Sequence, residues 1–382
     1  PQQLPPPAPQ GRPAPQQLPP PAPQGQPAQQ QLPPPAPQQY APLPPAAPAQ
    51  PPAPVRRQLP ADAVHGGLAF HRLVFARKRF GWWTPLVVGV LGFAFYLVPI
   101  GLAAVAIGVL VIADPAIADW LARQTGALDV TDPAGLLFAL GSIALMLPAY
   151  LAASRIVNGP KTGFASSAFG RLRWRWLLAC TGAAALVVLL IAAVTLLLPA
   201  EWAEVAAEPA ELVAPAENPH LVAGIVVILL VVPFQAAAEE YVFRGYLMQS
   251  IGRWLKHPAF AILLPVPLFV AGHAYDLLGL SAIAVFAIAS GWLTWRTGGL
   301  EAAIGVHVVN NLFAFLLGSA GLADPDAQSQ GLASTLVSVV QAGVFVLVVE
   351  VLYRRGERRG ALRRTVVLTA PPTTAGPVPS PA

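Results

Sequence analysis

The sequence has little charge and almost no cysteine. Only 11% of its 382 residues are Asp, Glu, Lys or Arg, and 55% are hydrophobic. Ordinary soluble domains carry about 25% charged residues, so this composition argues against a soluble globular protein. The single cysteine, Cys180, excludes an internal disulfide and leaves the redox compartment open.

The basic residues do not indicate a nucleic-acid-binding surface. The formal net charge is +5, but the Lys and Arg residues cluster beside apolar spans, as the topology signals of membrane proteins do. We therefore predict no nucleic-acid partner.

A proline-rich tail opens the chain. Residues 1–60 hold 24 of the 44 prolines and repeat QQLPPPAPQ from Gln2, Gln16 and Gln30. Such a segment has little apolar surface to bury and favours polyproline II. We predict disordered tails over residues 1–66 and 357–382. The first is either a spacer or a docking segment for a proline-binding partner.

Between the tails, residues 67–356 are predicted to form one all-α membrane domain. The predicted apolar spans are 85–113, 135–154, 176–199, 220–248, 258–275, 280–296, 300–321 and 333–353. Most of these approach or exceed the roughly 20 residues that a helix needs to cross a bilayer. The fifth and sixth are short, and the prediction of eight helices depends on their neighbours.

The segments that connect the spans alternate in charge. Basic segments precede span one and follow spans two, four, six and eight, whereas mainly acidic segments follow spans one, three, five and seven. Basic loops stay in the cytoplasm, so we predict an even number of spans with both termini cytoplasmic. The Ala-, Pro- and Arg-rich composition suggests a bacterial source. We expect an integral protein of a bacterial plasma membrane, embedded in the lipid bilayer.

Ionisable residues are rare inside the spans. Away from the first and last two residues of each span, the set is Glu239, Glu240 and Arg244 in span four, His273 in span five, His307 in span seven and Glu350 in span eight. A carboxylate at the centre of a membrane helix costs about 2.5–3.5 kcal/mol on insertion scales, so such residues indicate a function. The exception is Glu350, which we interpret as a structural partner of Arg354 at i,i+4.

Spacing predicts which of these side chains meet. Glu239 and His273 each lie 17 residues from Lys256, on the two sides of a helical hairpin, which puts them at the same depth. His307 and Asn311 are four residues apart and share one helix face. His307 is predicted to be shallower than Glu239, unless helix tilt, a longer span four or a recessed loop brings it closer.

Three motifs contain these residues in a fixed order: EExxxR at 239–244, FxxxH at 269–273 and HxxxN at 307–311. The set resembles the CAAX-protease and bacteriocin-processing family of intramembrane endopeptidases, which includes the CAAX prenyl proteases of type 2. The resemblance extends over about residues 70–355, and its specific motifs lie within 220–315.

The resemblance implies a catalytic set of five residues. Glu239 and His273 would activate a water molecule, and His307 and Asn311 would stabilise the oxyanion of the tetrahedral intermediate. Glu240 belongs to the same set, and which of the two carboxylates is the base stays open. A carboxylate in an apolar setting can act as a general base near neutral pH, and Asn and His can donate hydrogen bonds to developing negative charge.

The resemblance also brings in a structural residue and a metal. Arg244 would support Glu240, its i,i+4 partner. Family members are described as metalloproteases, and Glu239, His273 and His307 would be the ligands of a Zn²⁺ ion with an open position for water. The sequence has no HExxH motif, so a mechanism that needs only the glutamate and no metal is the alternative.

The resemblance implies hydrolysis of a peptide bond close to the membrane, in a membrane-associated peptide or protein substrate. Two other functions remain open: a non-proteolytic immunity or scaffold protein, and a transporter. Transporters also use intramembrane Glu and His, but their repeated halves have no counterpart among the predicted spans.

Overall fold

The computed structural model describes residues 59–124, 128–197, 213–323 and 331–368. All of these lie in the compact unit formed by residues 57–382. The described α-helices are α1 (Ala61–His65), α2 (Thr84–Ala113), α3 (Ala116–Arg123), α4 (Pro133–Ala144), α5 (Met146–Asn158), α6 (Trp174–Thr195), α7 (Leu221–Glu240), α8 (Met248–Trp254), α9 (Pro258–Leu263), α10 (Val266–Val270), α11 (Leu277–Thr297), α12 (Glu301–Ser319) and α13 (Leu332–Arg358). Within these ranges the β-structure consists of two isolated bridges. The all-α prediction is confirmed.

Seven helical segments of the described chain are long and apolar enough to cross a membrane. They are Thr84–Ala113, Pro133–Asn158, Trp174–Thr195, Leu221–Trp254, Leu277–Thr297, Glu301–Ser319 and Leu332–Arg358. They correspond to seven of the eight predicted spans and confirm a polytopic helical membrane domain.

The fifth predicted span, 258–275, is not a continuous helix. Its place is taken by the shorter apolar segment Pro258–Val270, which is interrupted between α9 and α10. Pro265 and Pro267 cause the interruption, because a proline lacks an N–H donor and its ring clashes with the carbonyl four residues earlier. In the described residues, the eight predicted spans are therefore seven long helices and one short, broken segment.

A proline also divides the second span. Pro148 stands four residues after Ala144, where α4 ends and α5 begins after Leu145. The two helices nevertheless form one apolar segment of 26 residues.

Helix α12 lies at the centre of the bundle. It packs against α6, α7 and α11, while α2 packs mainly against α5. The most apolar stretch of α12 is half buried, whereas that of α2 has no buried residue. The helix that carries His307 and Asn311 is thus shielded from the surroundings by its neighbours.

Parts of both predicted tails are ordered. Leu68 and Val366 form an antiparallel bridge, and the Leu368 N–H donates to the Ala63 carbonyl at 2.8 Å. Disorder is therefore corrected for residues 59–66 and 357–368, because their backbones pair with each other. The remaining tail residues, with the repeats and any docking function, lie outside the described residues. These contacts bring residues 63–68 next to residues 366–368.

Candidate active site

The two adjacent glutamates end helix α7 at a change of helix type. Glu240 is the last α-helical residue, and a π-helical segment follows over Tyr241–Leu247 before the helix continues as α8. Short π-helical segments are rare and often occur at functional sites. The apolar segment extends to Trp254, so the helix with Glu239 is longer than the predicted span four.

Glu240 is the centre of a buried hydrogen-bond network. Its side chain is fully buried, and its Oε1 accepts from Arg244 Nη1 and from His307 Nδ1, each at 2.8 Å. Arg244 also lies over the Phe269 ring, with the guanidinium carbon 4.3 Å from the ring centroid. The predicted Glu240–Arg244 pair is present in the structure. The contact from His307 was not predicted, and it brings the first and third motifs together.

Glu239 faces the other side of the same imidazole. Its Oε2 lies 3.4 Å from His307 Nε2, and its side chain is 13% exposed. Because the Glu240 carboxylate accepts from Nδ1–H, a neutral His307 presents the lone pair of Nε2 toward Glu239. This contact shows none of the depth mismatch expected between Glu239 and His307.

His273 lies on a turn and not on a helix. It follows α10 by three residues, and its Nδ1 donates to the Phe269 carbonyl at 2.8 Å. This bond leaves Nε2 as the acceptor of the ring. The Phe269 ring lies between the two histidines, with centroid distances of 4.8 Å to His273 and 6.2 Å to His307. Among the described residues, His273 forms no ion pair or hydrogen bond with Glu239.

Asn311 contacts a residue that the sequence reasoning missed. Its Nδ2 donates to Gln235 Oε1 at 3.0 Å, and Gln235 is only 4% exposed. A polar residue in an apolar span, four positions before Glu239, is a signal that could have identified it. The Gln235 side chain faces Asn311 because of the way α7 packs against α12, so this contact cannot be read from one helix.

The predicted zinc ligands do not converge on one point. Among the described residues, no three His, Cys, Asp or Glu side chains form a group that could hold a metal ion. Glu239 and His307 are close, but His273 is held at the Phe269 carbonyl. The donor set in this structure does not fit the predicted zinc site.

Comparison with known families locates a relationship in the same part of the chain. Residues 220–313 match the family described as type II CAAX prenyl endopeptidase Rce1-like. Over these residues the chain is similar to that family. The match contains all three motifs and confirms the family resemblance for the segment from α7 to α12.

One curated relative is similar to part of the chain. It is the uncharacterized protein YyaK of Bacillus subtilis (strain 168), with 36% identity over 92 residues. The aligned region covers 22% of this chain and 31% of that relative. No solved structure matches.

Proposed function

We propose that this chain is an intramembrane endopeptidase that cleaves a peptide bond near the membrane, with a prenylated CAAX-type peptide as the model substrate. The Rce1-like segment supports the reaction class. The observation that carries the proposal is the buried arrangement of Glu239 and Glu240 on opposite sides of the His307 imidazole. Such ionisable groups within membrane helices are costly and usually functional.

The chemistry assigns different tasks to the two carboxylates. Glu240 is paired with Arg244 and holds His307 through Nδ1, so it acts as a support. Glu239 has no hydrogen-bond donor to its Oε2 among the described residues. In the proposal, Glu239 takes a proton from water while the water oxygen bonds to the scissile carbonyl carbon. The carbonyl then re-forms as the C–N bond breaks, and Glu239 gives the same proton to the departing amine nitrogen.

Two other residues complete the proposed set. Asn311 would donate an N–H to the oxyanion, where developing charge is best stabilised by preorganised donors. Neutral His307 uses its N–H on Glu240 and so has none for the oxyanion role expected from the resemblance. His273 would use its accepting Nε2 to orient the attacking water with Glu239. A zinc-dependent mechanism stays a prediction from the family resemblance, tested by the zinc content of purified wild-type protein and of His273→Ala.

The direct test compares two carboxylates with similar exposure. The Glu239 side chain is 13% exposed and that of Glu350 is 14% exposed, and Glu350 pairs with Arg296 and Arg354. Quantitative terminal-peptide profiling of cell membranes should show cleavage products that disappear with Glu239→Gln and persist with Glu350→Gln. A general base contributes about 10²–10⁴-fold to rate, so the loss should be close to complete.

Two outcomes would favour the other functions. Identical profiles for wild type and Glu239→Gln, with an intact complemented phenotype, would favour an immunity or scaffold protein. Ion-dependent flux in liposomes that is lost with His273→Ala would favour a transporter.

A further inference from the structure

A second polar contact joins α7 to α12 beside the Glu239–His307 pair. Gln235 and Glu239 are four residues apart on α7, and His307 and Asn311 are four apart on α12, so each pair shares a helix face. Asn311 bonds to Gln235 at 3.0 Å, while His307 lies 3.4 Å from Glu239. The two helices therefore face each other through two successive polar contacts.

The Gln235 amide is buried among apolar residues, where an amide without a hydrogen bond costs free energy. Gln235 is 4% exposed and lies on an apolar helix beside buried Val232 and Ala236. A buried amide costs free energy unless it is hydrogen-bonded. Asn311 is half buried. Among the described residues, its side chain forms a hydrogen bond with Gln235.

We propose that Gln235 is a positioning residue that fixes the orientation of the Asn311 amide for oxyanion stabilisation. This inference rests on the endopeptidase function proposed above. The Asn311 amide has two N–H groups and one carbonyl oxygen. Gln235 Oε1 accepts one N–H and leaves the other free to donate to the oxyanion.

Gln235 can fix the orientation of the Asn311 amide because the opposite orientation of that amide would cost free energy. While the Gln235 amide keeps its orientation, a half-turn of the Asn311 amide would bring Asn311 Oδ1 against Gln235 Oε1, and two acceptors would be in contact. Without Gln235, both orientations become accessible, and in the flipped one a carbonyl oxygen would repel the oxyanion. Gln235 thus acts on the reaction through Asn311 alone.

The chain offers a matched control one residue away. Gln341 Nε2 donates to Asn310 Oδ1 at 3.2 Å in an exposed setting. Gln341→Ala also removes a Gln–Asn hydrogen bond between α12 and a neighbouring helix. It leaves Asn311 untouched, so it reports any general effect of losing such a bond.

The experiment is a double-mutant cycle on kcat. Full-chain protein in lipid nanodiscs is assayed with a quenched-fluorescent peptide that ends in a farnesylated CAAX sequence. Gln235→Leu keeps the approximate volume without an acceptor, and Gln235→Met replaces it if the leucine variant does not fold. Gln235→Leu should lower kcat about tenfold, since small misplacements of reacting groups can cost up to about 10²-fold, with KM unchanged. Gln341→Ala should match wild type.

The decisive result is the rate of the double variant. If Gln235 acts through Asn311, adding Gln235→Leu to Asn311→Ala causes no further loss. Independent, multiplying losses, or an unchanged kcat in Gln235→Leu, would overturn the role of Gln235 while leaving the endopeptidase function standing. Absence of any cleavage that depends on Glu239 would instead overturn the proposed function, and the inference with it.

Discussion

Two buried ion pairs, Arg173–Glu301 and Arg244–Glu240, lie along α12. They differ in how many of their carboxylate oxygens accept a hydrogen bond. At the start of the helix, fully buried Glu301 accepts through Oε1 from the Arg173 backbone N–H and Nε at 2.8 and 2.9 Å. Its Oε2 accepts from Arg173 Nη2 at 2.6 Å. The remaining Arg173 nitrogen, Nη1, donates to the Thr297 carbonyl at 2.9 Å. Every side-chain nitrogen and oxygen atom of this pair therefore takes part in a hydrogen bond.

The second pair is incomplete. Glu240 is equally buried, but Arg244 and His307 both donate to Oε1, and Oε2 has no hydrogen-bond partner among the described residues. The same holds for Oε2 of Glu239. Buried polar groups are almost always hydrogen-bonded, and Oε2 of Glu350 is also unbonded, but only in this cluster do two such carboxylates contact one imidazole among the described residues. This arrangement supports the proposal that the reaction takes place here. The Arg173–Glu301 pair has no capacity left for chemistry and serves the fold.

The largest effect on stability should come from breaking the complete pair. Glu301→Gln leaves Arg173 charged and buried without a countercharge, which costs about 3–5 kcal/mol. The melting temperature of the purified protein should fall strongly, and the yield of folded protein with it. The double variant Arg173→Met/Glu301→Leu removes both charges and should recover most of the loss. Equal stability of Glu301→Gln and wild type would contradict the structural role.

Glu240→Gln should lower both the melting temperature of the protein and its rate of peptide cleavage. Glu240→Gln removes the charge beside Arg244, but Arg244 keeps the Ala287 carbonyl and the Phe269 ring. We therefore expect a smaller drop in melting temperature than for Glu301→Gln. His307 loses its charged acceptor, so cleavage of the prenylated peptide should slow about 10²-fold. A wild-type rate would show that Glu240 does not position His307.

Local spacing predicted one contact of the site correctly. Glu240 and Arg244 pair at 2.8 Å as i,i+4 neighbours, because spacing along one helix determines which side chains share a face. His307 and Asn311 likewise extend from one helix toward α7. The i,i+4 pair and the shared face of His307 and Asn311 follow from the geometry of one helix and need no knowledge of the neighbouring helices.

Contacts between helices were harder to predict, because they depend on how the helices are rotated and how far they extend. The expected meeting of Glu239 with His273 assumed a regular fifth helix, but prolines interrupt this segment and leave His273 on a turn at the Phe269 carbonyl. The contact of Gln235 with Asn311 needs two helices in a particular rotation. Neither could be read from the spacing of one helix.

The smallest effect should come from a more exposed pair at the N-terminal end of the domain. Arg72 Nε lies 3.0 Å from Asp62 Oδ2, and the Asp62 side chain is 21% exposed. Burial acts to raise the pKa of Asp62, but the hydrogen bond and charge of Arg72 outweigh it and hold the pKa below its ordinary value. The pair therefore stabilises the fold above the unfolded pKa of about 3.9. This contribution is lost as the pH falls through the lower, folded-state pKa.

Thermal unfolding between pH 6 and pH 2.5 measures this contribution. Asp62→Asn should melt slightly below wild type at pH 6, by less than about 1 kcal/mol in stability, and the difference should vanish at the acid end. Exposed Asp119 in α3 is the matched control, and Asp119→Asn should follow wild type throughout. A difference for Asp62→Asn that persists at the lowest pH would assign its effect to packing.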